Sequence, residues 1–115
     1  MRQEIDGFLK NFSVDGDTAT AELLFPETFS GFQGHFPAQP ILPGVCQMML
    51  VMVMADRMYD RRMEMSAVTN AKFVSVVQPD QPIEIKCTLK DGRLGASLTS
   101  TGARVAEFKL KVEDA

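Results

Sequence analysis

The chain has 115 residues and a mass of 12.7 kDa, one domain's worth, and can bury roughly two thirds of its unfolded surface without disulfides. Its residues are 45% hydrophobic and 23% charged, which excludes a disordered tail, and the net charge of −3 (pI ≈ 5.1) lacks the basic surplus of a nucleic-acid binder. Two cysteines, Cys46 and Cys87, exclude a disulfide scaffold and a structural zinc site, and a single histidine, His35, excludes any two-histidine metal motif.

The N-terminal MRQEIDGFLK is polar, so no signal peptide is expected. The longest apolar run, 48–55, is far short of the roughly twenty residues that span a bilayer. A reducing, cytoplasmic location follows as the expectation. No repeat, linker or low-complexity tract divides the chain, which reads as one domain over 1–115. Residues 8–14 and 18–25 read as a hairpin around Asp15-Gly16-Asp17. Residues 26–43, rich in Gly, Pro and Phe, read as a long loop whose Phe29, Phe32 and Phe36 need burial. A helix is expected over 45–62. Its first turns, VCQMMLVMVMA, are apolar on nearly every side apart from Gln47, so it must be buried all round.

Strands follow. One is expected over 68–77, then a break at Pro79-Asp80-Gln81-Pro82. Over 83–90, Ile83, Ile85, Cys87 and Leu89 alternate with Glu84, Lys86, Thr88 and Lys90 at a period of two. Asp91-Gly92-Arg93 turns the chain, and strands over 94–101 and 103–112 complete a meander. The economical solution is α+β: a curved antiparallel sheet wrapped around one long buried helix, with a second copy covering what the sheet cannot.

The informative segment is Gly34-His-Phe-Pro-Ala-Gln-Pro-Ile-Leu-Pro-Gly-Val45. It resembles the motif GHFPxxPxxPG of the beta-hydroxyacyl-acyl-carrier-protein dehydratases, which have the hot-dog fold. Gly34, His35, Phe36, Pro37, Pro40, Pro43 and Gly44 all match it. Ala71-Lys72-Phe73 is similar to a further strand of that family, whereas Pro79-Asp80-Gln81 stands where the family has a Pro-Gly-Asp turn. Eliminating water from a 3-hydroxyacyl thioester needs a base for the α-proton, an acid for the departing hydroxyl and a donor for the thioester oxygen. The resemblance implies that His35 is the base and that the Gly44 N–H polarises the thioester. It also implies that Phe36, Pro43, Val45 and Met49 border the acyl group, that no metal or redox cofactor takes part, and that the substrate is carried by acyl carrier protein or CoA. Histidine suits the role because it accepts a proton near neutrality. The prolines stiffen the loop, and a helix N-terminus offers unsatisfied N–H groups at a positive dipole end.

The departure lies fourteen residues after the histidine. The family has a Glu or Asp there, often with a Gln one turn later; this chain has Met49 and Val53. Gln47 is about 200° around the helix from Met49, and Asp56 about 10 Å farther along its axis. The family's dimers combine the histidine of one subunit with the acid of the other. A heterodimer with a related hot-dog chain that supplies the carboxylate would therefore complete one site, and a homodimer would lack the acid. A non-catalytic acyl-thioester binder is the alternative. A hot-dog thioesterase is another, though such enzymes also place an acid on the helix.

Other features have plainer readings. Pro37, Pro40 and Pro43 spell a PxxP ligand, but among buried phenylalanines. The methionines of the helix read as adaptable core packing. Cys46 at a helix start has a position that can lower a thiol pKa, but no second histidine to activate it. Arg57, Arg61, Arg62 and Lys72 would form a basic rim for an acidic carrier protein, or a solvated helix end.

Overall fold

The computed structural model describes residues 1–32 and 41–115. In chain order they form α1 (Arg2–Phe8), β1 (Lys10–Asp15), β2 (Thr18–Leu24), a 3-10 turn (Ser30–Phe32), α2 (Gly44–Tyr59), β3 (Met63–Phe73), β4 (Pro82–Lys90), β5 (Arg93–Ser100) and β6 (Ala103–Asp114). The strands make one sheet, ordered β1-β2-β4-β5-β6-β3 and antiparallel throughout.

The alternation in β4 and its neighbours sets the inner face of this sheet. Ala19, Ala21 and Leu23 of β2, Ile83, Ile85 and Cys87 of β4, and Leu94, Ala96 and Leu98 of β5 are buried. Across the strands small residues oppose larger ones: Ala21 pairs with Ile85, Leu98 with Ala106, and Ala96 with Phe108. That interdigitation leaves room for α2, whose Leu50 to Ala55 are buried without a break. The turns follow the right-handed twist of the sheet. Asp91 and Gly92 both take positive φ (54° and 74°), as a two-residue hairpin loop of this type requires.

Three expectations shift. The first strand of the hairpin begins at Lys10 rather than at residue 8, and the residues before it, for which no element was expected, form α1. Seven residues are too few to display a helical period, and α1 holds its place through Ile5 and Phe8. The Phe8 ring stacks edge-on against Phe25 and Phe29, each 5.9 Å away between centroids. Helix α2 stops at Tyr59 because Asp60 adopts the left-handed conformation (φ 54°), which aspartate tolerates. Strand β3 then begins at Met63 and ends at Phe73, five residues earlier at its start than expected. As an edge strand exposed on both faces after Met63, it has no alternation to read; its pairing with β6, from Met63–Asp114 to Phe73–Ala106, defines it instead.

Asp56 joins these pieces. Its carboxylate accepts hydrogen bonds from Arg2 Nη1 (3.0 and 3.2 Å) and from the Met63 N–H (2.8 Å), while Arg2 Nη1 also reaches the Met63 carbonyl. It therefore ties α1, the end of α2 and the start of β3 together. Asp56→Ala leaves two donors without that acceptor and should lower the unfolding free energy by about 2 kcal/mol. Urea denaturation of the two proteins checks this, and an unshifted midpoint would contradict the role.

Candidate functional site

Helix α2 begins without a side-chain cap. Pro43 is its N-cap in extended conformation, and the Pro43 carbonyl accepts from the N–H groups of Cys46 (3.0 Å) and Gln47 (3.2 Å). Among the described residues no acceptor meets the N–H of Gly44 or Val45, so the helix start presents free donors at its positive end. The approach is pinned by Leu42, whose N–H donates to the Val77 carbonyl (2.8 Å), and by the bend after β3, where the N–H groups of Val74 and Ser75 both reach the Val105 carbonyl. Gly31, buried, packs so close to Phe29 and Cys46 that a Cβ there would lie 2.4 Å from the Phe29 ring. That contact sets the 3-10 turn against the helix.

Two depressions flank this helix start. One, of about 270 Å³, lies between Leu42, Gly44 and Gln47 on one side and Phe73, Val74 and Val76 on the other. The other, of about 310 Å³, is walled by Val45, Met48, Met49, Met52 and Met65, with Arg2 and Glu64 at its rim. Larger hollows on the solvent side of the sheet take no residue from α2 and are lined mostly by polar side chains. Among the described residues no three His, Cys, Asp or Glu side chains gather as a metal site requires, and no helix is long and apolar enough to cross a membrane.

The expected site residues fall as follows. His35 and Phe36 lie outside the described residues. Pro43, Gly44 and Val45 stand together at the helix start, with Val45 63% exposed. Met49 is partly buried in the second depression, on a different side of α2 from Gln47. The space beside the Gly44 Cα is taken by the Phe73 ring; a Cβ there would lie 2.7 Å from it. The basic residues do not form one rim. Arg57 is paired with Asp6 (2.7 Å) and sits over the Phe12 ring, and Arg61 is paired with Asp114. Arg57 lies in the last turns of α2, about 20 Å from Gly44 by helix rise, and Arg61 and exposed Arg62 follow just after the helix ends. Lys72, exposed on β3, adjoins Phe73 and hence the helix start. Asp56, the nearest carboxylate after Met49 on the helix, is occupied by Arg2 and Met63.

Gln47 is the residue that sequence reasoning passed over. It is buried at 3% exposure and lines the depression beside Gly44. The signal was its spacing: three residues after Gly44 places it on the same helix face.

A model of the ApeI-like family, described as ApeI dehydratase, matches residues 11–109. The chain belongs to the ApeI-like dehydratase family. Relatives of this ApeI-like chain include the 3-hydroxyacyl-(acyl-carrier-protein) dehydratase FabZ of Latilactobacillus sakei, 38% identical over 96 residues that cover 71% of this chain and 69% of the relative. The FabZ of Rickettsia felis is 31% identical over 91 residues, covering 68% and 63%. The chain thus spans about two thirds of the length of the curated relatives it matches. Among solved structures it is similar to the dehydratase heterocomplex ApeI:P from Xenorhabdus doucetiae, with a TM-score of 0.83 and 25% identity over 90% of this chain and 95% of that one. Cj0977 of Campylobacter jejuni shares the fold alone, with a TM-score of 0.70 at 12% identity over 90% of this chain and 72% of that one. The hot-dog fold and the dehydratase resemblance expected from the motif are therefore those of this ApeI-like chain.

Both cysteines are buried packing groups. Burial, and then the charge of Glu4, pushes the Cys46 thiol up from its ordinary value of 9.0, overriding the helix start; burial pushes Cys87 up to about 12. In the unfolded chain the thiols ionise near pH 9, whereas the fold keeps Cys87 protonated to about 12. The contribution of the Cys87 thiol to stability is thus fully present below pH 9 and is lost as pH rises through that window, because only the unfolded chain releases the proton. Denaturation midpoints measured between pH 8 and 11 should fall less steeply for Cys87→Val than for the natural chain, and identical slopes would contradict this. Neither native thiol should react with Ellman's reagent at neutral pH, and both should react in denaturant.

Proposed function

We propose that this chain is a subunit of a cytoplasmic dehydratase that converts 3-hydroxyacyl thioesters to trans-2-enoyl thioesters, and that it needs a related hot-dog chain to do so at full rate. The observation that carries the reading is the uncapped start of α2, where N–H groups without an acceptor among the described residues stand beside apolar depressions; the family resemblance adds that Met49 takes the acid's place. The thioester oxygen accepts from the Gly44 N–H, which stabilises the charge that grows there as the α-proton leaves. His35 takes that proton. The hydroxyl departs as water once a carboxylic acid protonates it, and this chain has no such acid on the expected helix face. Phe36, Pro43, Val45 and Met49 border the acyl group.

The partner follows from what is missing and from what is exposed. The β3 edge and its continuation leave Met65, Val68, Phe73, Val74 and Val76 open to solvent, beside Val45 of the helix start. An unpaired, apolar sheet edge of this length is suited to a second hot-dog chain. The Xenorhabdus doucetiae relative is described as a heterocomplex, which favours a heterodimer over a homodimer. An acidic carrier protein would be met by Lys72 at the site end, and only at longer range by Arg57, Arg61 and Arg62. A second reading, a non-catalytic partner that binds the acyl thioester, is favoured by Met49 alone.

Enone absorbance after addition of a 3-hydroxyacyl thioester tests the reaction. The chain alone should be slow, and mixing it with an acid-bearing hot-dog partner should raise the rate by ~10²-fold or more, the usual contribution of a positioned acid. Met49→Glu should restore part of that rate without the partner. Full activity of the unaltered homodimer would remove the partner requirement, and release of free thiol without enone would identify a thioesterase instead.

A further inference from the structure

Among the described residues Gln47 Oε1 is the buried side-chain oxygen without a hydrogen-bond partner. Buried amide groups are nearly always paired, because an amide oxygen stripped of water and left without a donor is destabilising. A leucine at this position would pack without that penalty. The neighbouring helix positions show that apolar residues are accommodated there: Cys46, Leu50, Val51 and Met54 are all buried. The orphaned acceptor stands at the depression between the start of α2 and residues 73–76, whose other walls are apolar except for Ser75.

Its position relative to Gly44 is informative. Three residues separate them, so they share a helix face and lie about 4.5 Å apart along the axis. The depression therefore offers a free N–H donor at the helix start and, one turn deeper, a free oxygen acceptor. A complementary ligand carries an acceptor and then, a short distance along an apolar chain, a donor. A 3-hydroxyacyl thioester is such a molecule: its carbonyl oxygen is on C1, its hydroxyl on C3, and a single methylene lies between.

We propose that Gln47 is the specificity-determining residue for the 3-hydroxyl group, with Oε1 accepting its O–H. This rests on the reading of the site as a 3-hydroxyacyl thioester site and adds what recognises the substrate. Gln47 does not protonate the leaving group; it holds the hydroxyl in place for whichever acid does. A saturated acyl chain leaves Oε1 unpaired, and a 3-oxoacyl chain brings a second acceptor against it. The trans-2-enoyl product has no donor at C3, so its loss of this bond favours release. A site that must leave a buried polar group unpaired discriminates strongly against the ligand that lacks the hydroxyl.

Calorimetric titration with 3-hydroxyoctanoyl- and octanoyl-pantetheine amides tests this, nitrogen replacing the thioester sulfur so that hydrolysis and elimination are both slowed. The carrier arm, with its own N–H donors, is the same in both compounds. The unaltered chain, alone or with its acid-bearing partner, should bind the 3-hydroxy compound at least tenfold more tightly. Gln47→Leu should bring the ratio near one while the octanoyl compound binds as well as before, and Gln47→Met, closer in shape, should do the same if leucine perturbs folding. Equal binding of both compounds by the unaltered chain overturns the proposal while leaving the thioester reading intact. So does an equal loss for both compounds in the variants, which would assign Gln47 to the carrier arm or to packing. Failure of the unaltered chain to bind either compound, with or without the partner, overturns the thioester reading itself.

Discussion

Helix α2 has no solvent-facing side along its middle, where six consecutive residues from Leu50 to Ala55 are buried. An α-helix can be enclosed in this way only if something covers every direction around it. The inner face of the six-stranded sheet covers most of it, α1 closes over its end through the Arg2–Asp56 contact, and the Phe8, Phe25 and Phe29 rings seal the side next to the loop. The small residues on β2 and β5 are part of the same requirement. Ala19, Ala21 and Ala96 keep the sheet close to the helix, where larger side chains would hold it away.

The enclosure is incomplete at one end, and that end is the candidate site. At its N-terminus α2 emerges from the core with Val45 exposed and Met48 and Met49 half-covered. The same turn carries the free N–H groups. Apolar surface, unsatisfied donors and an exposed edge strand thus coincide at one place. Each would be a liability in an isolated monomer, and each fits the acyl thioester and the second hot-dog chain proposed above. The far end of the helix is different in kind. Its charges are used locally, by Asp6 for Arg57 and by Asp114 for Arg61.

Different parts of this arrangement were legible in the sequence to different degrees. The buried helix and the strands β4, β5 and β6 were plain, because one-sided or all-round burial writes a period into the residues that make it. Strand β3 was misplaced because an edge exposed on both faces carries no such period. The first helix was missed because seven residues hardly complete two turns. At the site, Pro43-Gly44 marked the helix start, and the resemblance to the dehydratase family implied that Met49 stands where an acid would be. It did not show that the Phe73 ring occupies the space beside Gly44, a contact made across twenty-nine residues of chain.

The sequence by itself determined the local chemistry: one histidine among closely spaced prolines, a Pro-Gly helix start without a capping side chain, and a methionine where the resembled family has a carboxylate. The first two are properties of residue type and spacing, and the third of the resemblance, and all hold whatever surrounds them. Only the tertiary structure decided what each group faces. It committed Asp56 to Arg2 and Met63, separated Lys72 from the arginines of the helix end, and buried Gln47 with its oxygen unpaired among the described residues. The physical reason is that pairing, burial and exposure depend on groups brought together from distant parts of the chain.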